Sequence, residues 1–381
     1  MITKSGKSPP DINSYEKEIY RALTHVPPKP RIFKNRRLYN RELTGIVLSN
    51  CLFVDCHFEC VIFEACSLET LRFERCTLRK VSIISSQFTD LSFGECRLEN
   101  TILRGGIYCN IFCNETSIHG GIINDCLFNE LLLNKCNVSG VVVEHCSLSH
   151  FTVIASALRA LSFFRGSKQD VNWYDCQIRE CAWQHFFLER HIMGNCRFEM
   201  CSWQAMGGNA HIWFSCDLTD CIFAELQLQG ASFHRTGLKR CSFAGSNLSS
   251  VILTEARLQE CDMSQATLVL VQGQDASFVG CTMTGANWER ALLCRAEFKA
   301  CDVSQANFNQ TDLREANLSE QPLSSVRQQS TQLHGAKHHR IDSAPTNFDP
   351  FLNSIDAWYA KQQPGPRQLL GQKLTGASRY V

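Results

Sequence analysis

Residues 296–320 read AEFKA CDVSQ ANFNQ TDLRE ANLSE, five successive units of five residues. The third residue of each unit is apolar (Phe298, Val303, Phe308, Leu313, Leu318) and the first is small (Ala296, Cys301, Ala306, Thr311, Ala316). A period of five matches neither the 3.6-residue turn of an α-helix nor a long strand of period two. It fits short extended segments separated by turns, with the first and third residues pointing to the same side, as alternate residues of a strand do.

Working outward, the same frame reaches back to Leu43. Of the 56 positions from 43 to 318 whose numbers end in 3 or 8, all but Lys168, Gly208 and Gly273 are apolar. A chain that is 44% hydrophobic would place only about 25 apolar residues there by chance, so the frame belongs to the fold. The positions two residues earlier are small or aliphatic, and 18 of the 22 cysteines fall among them; the exceptions are Cys60, Cys109, Cys113 and Cys294. A small residue beside a large one fills a narrow interior without voids.

The cysteines set the coil length. Cys181, Cys201, Cys221, Cys241, Cys261, Cys281 and Cys301 recur every 20 residues. A second series, Cys56, Cys76, Cys96, Cys136, Cys176, Cys196 and Cys216, has Thr116 and Ser156 in its two gaps. Four units per coil predict a four-sided all-β solenoid of 14 coils over residues 41–320. Like residues then stack about 4.8 Å apart. Such a ladder does not converge as the four ligands of a zinc site must, so buried, reduced thiols acting as small apolar filler are expected.

The units at 296–320, with SNLSS (246–250) and ANWER (286–290), resemble the A(D/N)LXX pattern of the pentapeptide-repeat family. The resemblance covers roughly residues 41–323 and is looser in the N-terminal half. It implies a right-handed quadrilateral β-helix.

The net charge of +1 hides a split. Residues 41–320 hold 22 Lys and Arg against 31 Asp and Glu, a net −9, while residues 1–40 carry +6 and 321–381 carry +4. There is no apolar run long enough to span a bilayer and no apolar signal-peptide core near the N-terminus, so a cytoplasmic protein is expected.

Both ends leave the frame. Residues 11–24 predict a short helix that caps the first coil or serves as a partner-binding arm. Residues 324–345, rich in Ser, Gln and His, read as a flexible spacer. Beyond them Phe348, Phe351, Leu352, Ile355, Trp358 and Tyr359 predict an amphipathic helix begun at Asp349-Pro350. Two roles fit it: a fold-back cap and a partner-binding segment.

The middle is irregular. Lys168 and Gly208 replace inward residues, and Trp173, Trp183, Trp203 and Trp213 lie close by. Trp183 and Trp203 stand 20 residues apart and should stack; His191 and His211, with the same spacing, occupy the small class. Wider coils filled by aromatics account for this. So does a recognition patch of Lys168, Trp183, His191, Trp203, Gly208 and His211, because glycine breaks accompany bulges. The two histidines have no obvious third ligand, and no motif for catalysis, phosphate binding or zinc proteolysis occurs.

A non-enzymatic protein-binding scaffold or adaptor without cofactor or metal is therefore expected. Its partner would be another protein rather than nucleic acid, and the solenoid ends offer a route to self-association. The family resemblance implies a secretion-associated accessory protein or translocated effector. It also supplies the alternative, an acidic DNA mimic acting on a type II topoisomerase, but −9 over 280 residues is a weak field.

Overall fold

A computed structural model describes residues 31–206, 208, 211–318, 325–338, 354, 355, 357 and 358. The described chain winds as a parallel β-solenoid of about 14 turns, and strand pairs run in 20-residue register. Arg31 pairs with Cys51, Leu148 with Lys168 and Lys168 with Leu188.

Each corner is made by one residue in the left-handed region. At positions ending in 5 or 0, non-glycine residues hold φ between +47° and +61°. Asn35, Asn50, Asp55 and Asp125 suit this conformation, whereas Ala65 and Thr70 adopt it against their own preference. Coil-to-coil bonds hold it: Asn35 N–H donates to the Val54 carbonyl at 3.0 Å, and His57 N–H to the Arg36 carbonyl at 2.8 Å.

The two halves differ in how they turn. Up to residue 204 many strands run through a corner, as in Val47–Val54 and Ser167–Tyr174. From Leu228 onward most faces shrink to isolated bridges, and the corners close as β-turns. Ala231 N–H donates to the Leu228 carbonyl at 3.0 Å across Gly230, whose φ of +68° is the type II value. Ala256, Ala286 and Ala306 repeat this bond. The better match to the A(D/N)LXX pattern in this half is thus a match to the tight turn.

The solenoid exceeds the limits that the sequence frame suggests. It is already present at Arg31, the first described residue, with Phe33 and Leu38 buried in the inward positions. At the other end Arg327 and Gln332 bridge to Asn307 and Asp312, and Lys337–His338 pairs with Asn317–Leu318. Part of the expected flexible spacer is therefore another coil. Val326, Thr331 and Ala336 keep the small class going while Gln328 breaks the apolar one, and so the frame fades in the sequence. The expected helix at 11–24 lies outside the described residues. So do Phe348, Phe351, Leu352 and Tyr359; Ile355 and Trp358 have helical backbone, with Trp358 exposed.

Candidate functional site

The inward positions of the irregular coils bring Lys168, Trp183, His191, Trp203 and His211 into one stretch of the lumen. All five side chains are buried. The patch reading therefore fails as a direct surface: nothing of these side chains is presented to a partner, because the 20-residue register turns each of them inward. Gly208, the sixth member, has φ +117°, and a Cβ there would lie 1.6 Å from the Leu188 carbonyl oxygen. Only glycine fits this close approach.

Aromatic rings fill the space. Phe163, Trp183, Trp203, Phe223 and Phe243 form one continuous stack, with Trp183 and Trp203 4.9 Å apart and 3° from parallel. Trp213 lies on Phe233 at 4.7 Å and 2°. Lys168 enters this core as a lone base. Its Nζ has no hydrogen-bond partner and stands 3.5 Å from the centre of the Phe163 ring, with Phe151, Trp173 and Phe186 within 5.3 Å. Burial holds its pKa well below the ordinary lysine value.

His191 and His211 face each other with their Nδ1 atoms 2.8 Å apart. One ring donates and the other accepts, so the pair suits two neutral imidazoles. Burial pushes His211 down to about 4; burial, with His211 and Lys168 nearby, holds His191 well below its usual value. Among the described residues no cluster of three or more His, Cys, Asp or Glu side chains could hold a metal ion.

The thiols do more than fill space. Cys56 donates to the carbonyls of Val54 and Phe33, both at 3.4 Å, and Cys66 to those of Glu64 and Leu43. Cys96, Cys136, Cys241 and Cys261 repeat the pattern, two residues back and 23 back. The hydroxyl of Thr116, in a gap of the cysteine series, bonds the same pair of carbonyls at 3.0 and 3.1 Å. All 22 cysteines are free, and only Cys60, Cys109 and Cys294 are partly exposed. Burial pushes Cys51 up to about 11; a neighbouring thiol together with burial pushes Cys261 up to about 12.

Two features escaped the sequence reading, both in the coils around residues 98–133. Outside, Ile122, Ile107, Leu127 and Phe112 are exposed on three successive faces. Ile107 pairs with Leu127 in the adjacent coil, so these two lie side by side on one face, while Ile122 and Phe112 lie on the faces to either side of it. These are second residues of their units, positions that point outward, so their apolar character was a usable signal. Inside lies an apolar cavity of about 160 Å³, whose lining includes Leu98, Leu103, Ile118, Ile123, Leu131 and Val141.

Acidic side chains at the corners meet arginines one coil away. Arg75 bonds Asp55 at 2.8 Å, Arg240 bonds Asp220 at 2.7 Å and Arg295 bonds Asp275 at 2.7 Å. These exposed pairs add little stability, but they break up the negative charge of the body.

The family profile described as "Pentapeptide repeat region" matches residues 31–103 and 251–327, and that described as "Pentapeptide repeats (8 copies)" matches 232–268. No curated protein matches the chain. Similar solved structures include a pentapeptide repeat protein of the Arabidopsis thaliana thylakoid lumen, at 23% identity over 23% of this chain and 65% of that one, TM-score 0.20. HetL, a pentapeptide repeat protein involved in heterocyst differentiation regulation in the cyanobacterium Nostoc sp., is 16% identical over 86% of this chain and 94% of its own, TM-score 0.17. QnrB1, a plasmid-mediated fluoroquinolone resistance protein, is 16% identical over 61% and 98%, TM-score 0.24.

Proposed function

Because this chain belongs to the pentapeptide-repeat family, we propose that it is a non-enzymatic protein-binding scaffold. The observation that carries the reading is the exposed apolar pair Ile107 and Leu127, side by side on one outer face of a regular rod. The 14 coils of residues 41–320, at about 4.8 Å each, make a rod roughly 67 Å long. Its backbone is engaged coil to coil, so what it offers a partner is side chains on flat faces. An exposed apolar patch of this kind marks an interaction site. The segment bearing Phe351, Ile355 and Trp358 is a second candidate contact.

The finer reading is a secretion-associated adaptor, or a translocated effector, and it rests on the family resemblance alone. A cytoplasmic location rests only on the sequence. The topoisomerase-directed DNA mimic remains the rival, and the arginines that interrupt the acidic surface count against it.

The test is a pull-down with the full chain beside two double variants, Ile107→Ser with Leu127→Ser, and Phe351→Ala with Trp358→Ala. The first pair should cut partner recovery at least tenfold and leave the melting temperature within a degree or two. Recovery of secretion-machine or cargo proteins supports the adaptor. Salt-sensitive recovery of topoisomerase subunits, unaffected by either pair, would replace the scaffold reading with the mimic.

A further inference from the structure

The cavity in the lumen lies in coils that carry glycine at two inward positions. In the surrounding coils the first residue of a unit carries a side chain that fills the interior, as Val81, Cys126 and Val141 do. Positions 106 and 121 carry none. A Cβ at Gly106 would lie 2.2 Å from the Ser86 carbonyl oxygen, and one at Gly121 would lie 2.3 Å from that of Thr101. Their φ values of +112° and +124° also exclude other residues. The same coils enclose a void of about 160 Å³. The inward side chains of Leu103, Ile118, Ile123 and Leu131 line it and keep part of their surface uncovered.

An apolar cavity of about this size stays dry and accepts a benzene-sized guest. This one has a polar mark as well. Thr101 is among its lining residues, and its Oγ1 is buried without a hydrogen-bond partner. A hydroxyl both donates and accepts. Tyr108 also lines the cavity; its hydroxyl donates to the Gly105 carbonyl at 3.4 Å and meets the Cys126 thiol.

We propose that this cavity binds a small, largely apolar molecule with a single hydrogen-bonding group, of the size and chemistry of a phenol. The aliphatic lining holds the ring, and Thr101 Oγ1 pairs with the hydroxyl. Entry needs local opening of one coil rather than unfolding, since adjacent coils are held separately. The site is independent of the outer patch and of any protein partner.

Phenol and toluene are the probes, because they differ by a hydroxyl in place of a methyl group. Calorimetry and thermal unfolding of the full chain should show both binding, with a melting temperature that rises with ligand concentration. Thr101→Val keeps the shape and removes the hydroxyl. It should weaken phenol five- to tenfold relative to toluene. Leu131→Phe fills the space and should weaken both at least tenfold; Ile123→Phe serves if the first variant does not fold, as judged by circular dichroism. Uptake of neither probe by the wild type, or equal uptake by the filled variant, overturns the site. An unchanged phenol-to-toluene ratio in Thr101→Val overturns the role of Thr101.

Discussion

Lys168 stands where Leu148 and Leu188 stand one coil to either side. A buried amine without a partner costs about 1–3 kcal/mol, so Lys168→Leu should stabilise the protein by an amount of that order in urea unfolding. The pH dependence separates this from a simple gain in packing. The folded-state pKa is depressed, whereas the unfolded chain holds its proton up to about 10.4. Between those values the unfolded state binds more protons, so wild-type stability rises with pH. The advantage of the leucine variant should therefore shrink from pH 7 towards pH 10, and a constant gap would count against an unpaired base. The histidine pair obeys the same sign at lower pH. Both rings are depressed, His211 to about 4, so stability is lost as pH falls from about 6.5 through 4. A shift of that size is of order 3 kcal/mol. The double variant His191→Val with His211→Val matches Val171 in the neighbouring coil and should flatten the melting curve across this window. If it does not, the loss belongs to surface carboxylates.

At the level of the unit, the sequence spoke through its side-chain classes and was silent on its hydrogen bonds. The third residue of each unit pointed inward as expected, because alternation on a short strand leaves no other choice. The first residue was read as filler, yet Cys96, Ser86 and Thr116 there also bond the carbonyls two and 23 residues back. Thr116 and Ser156 looked like gaps in a cysteine series, but they are members of one donor series. That role is invisible in composition, since one of the two bonded carbonyls lies on another coil. It can be measured at one site. Thr116→Val removes the hydroxyl bonds to Phe93 and Asn114 and should cost about 1 kcal/mol. Thr116→Cys should recover part of that, because a thiol is a weaker donor. Equal stability of the two variants would return the position to mere filling. The patch residues Lys168, Trp183 and Trp203 show the other side of legibility. Their irregularity in the frame was plain, but a side chain that breaks the pattern at an inward position remains inward, and so serves the core before any surface.

A solenoid transmits stability only between neighbouring coils, so its weak and strong stretches can differ along one rod. The rod runs at least ten residues further at the start and fifteen at the end than the frame suggests, because Arg31, Arg36 and Gln328 put polar side chains in positions that apolar or small ones hold elsewhere. Its interior is also uneven. The coils from Phe163 to Phe243 are filled by stacked rings. Those around residues 98–133 enclose about 160 Å³ of empty space, which at about 24 cal/mol per Å³ corresponds to roughly 4 kcal/mol of lost packing. Both stretches are internal, so end fraying affects neither. Native-state hydrogen exchange should therefore show amides of Arg97–Asn134 opening at lower free energy than those of Ser167–Tyr174 and His211–Phe214, although all lie in strand ladders. Leu131→Phe should slow exchange in the first stretch and leave residues 253–303 unchanged, since those coils are not its neighbours. Uniform exchange along the whole rod, or slowing that spreads to its far end, would mean that the solenoid opens as one cooperative unit and that the cavity does not set a local weak point.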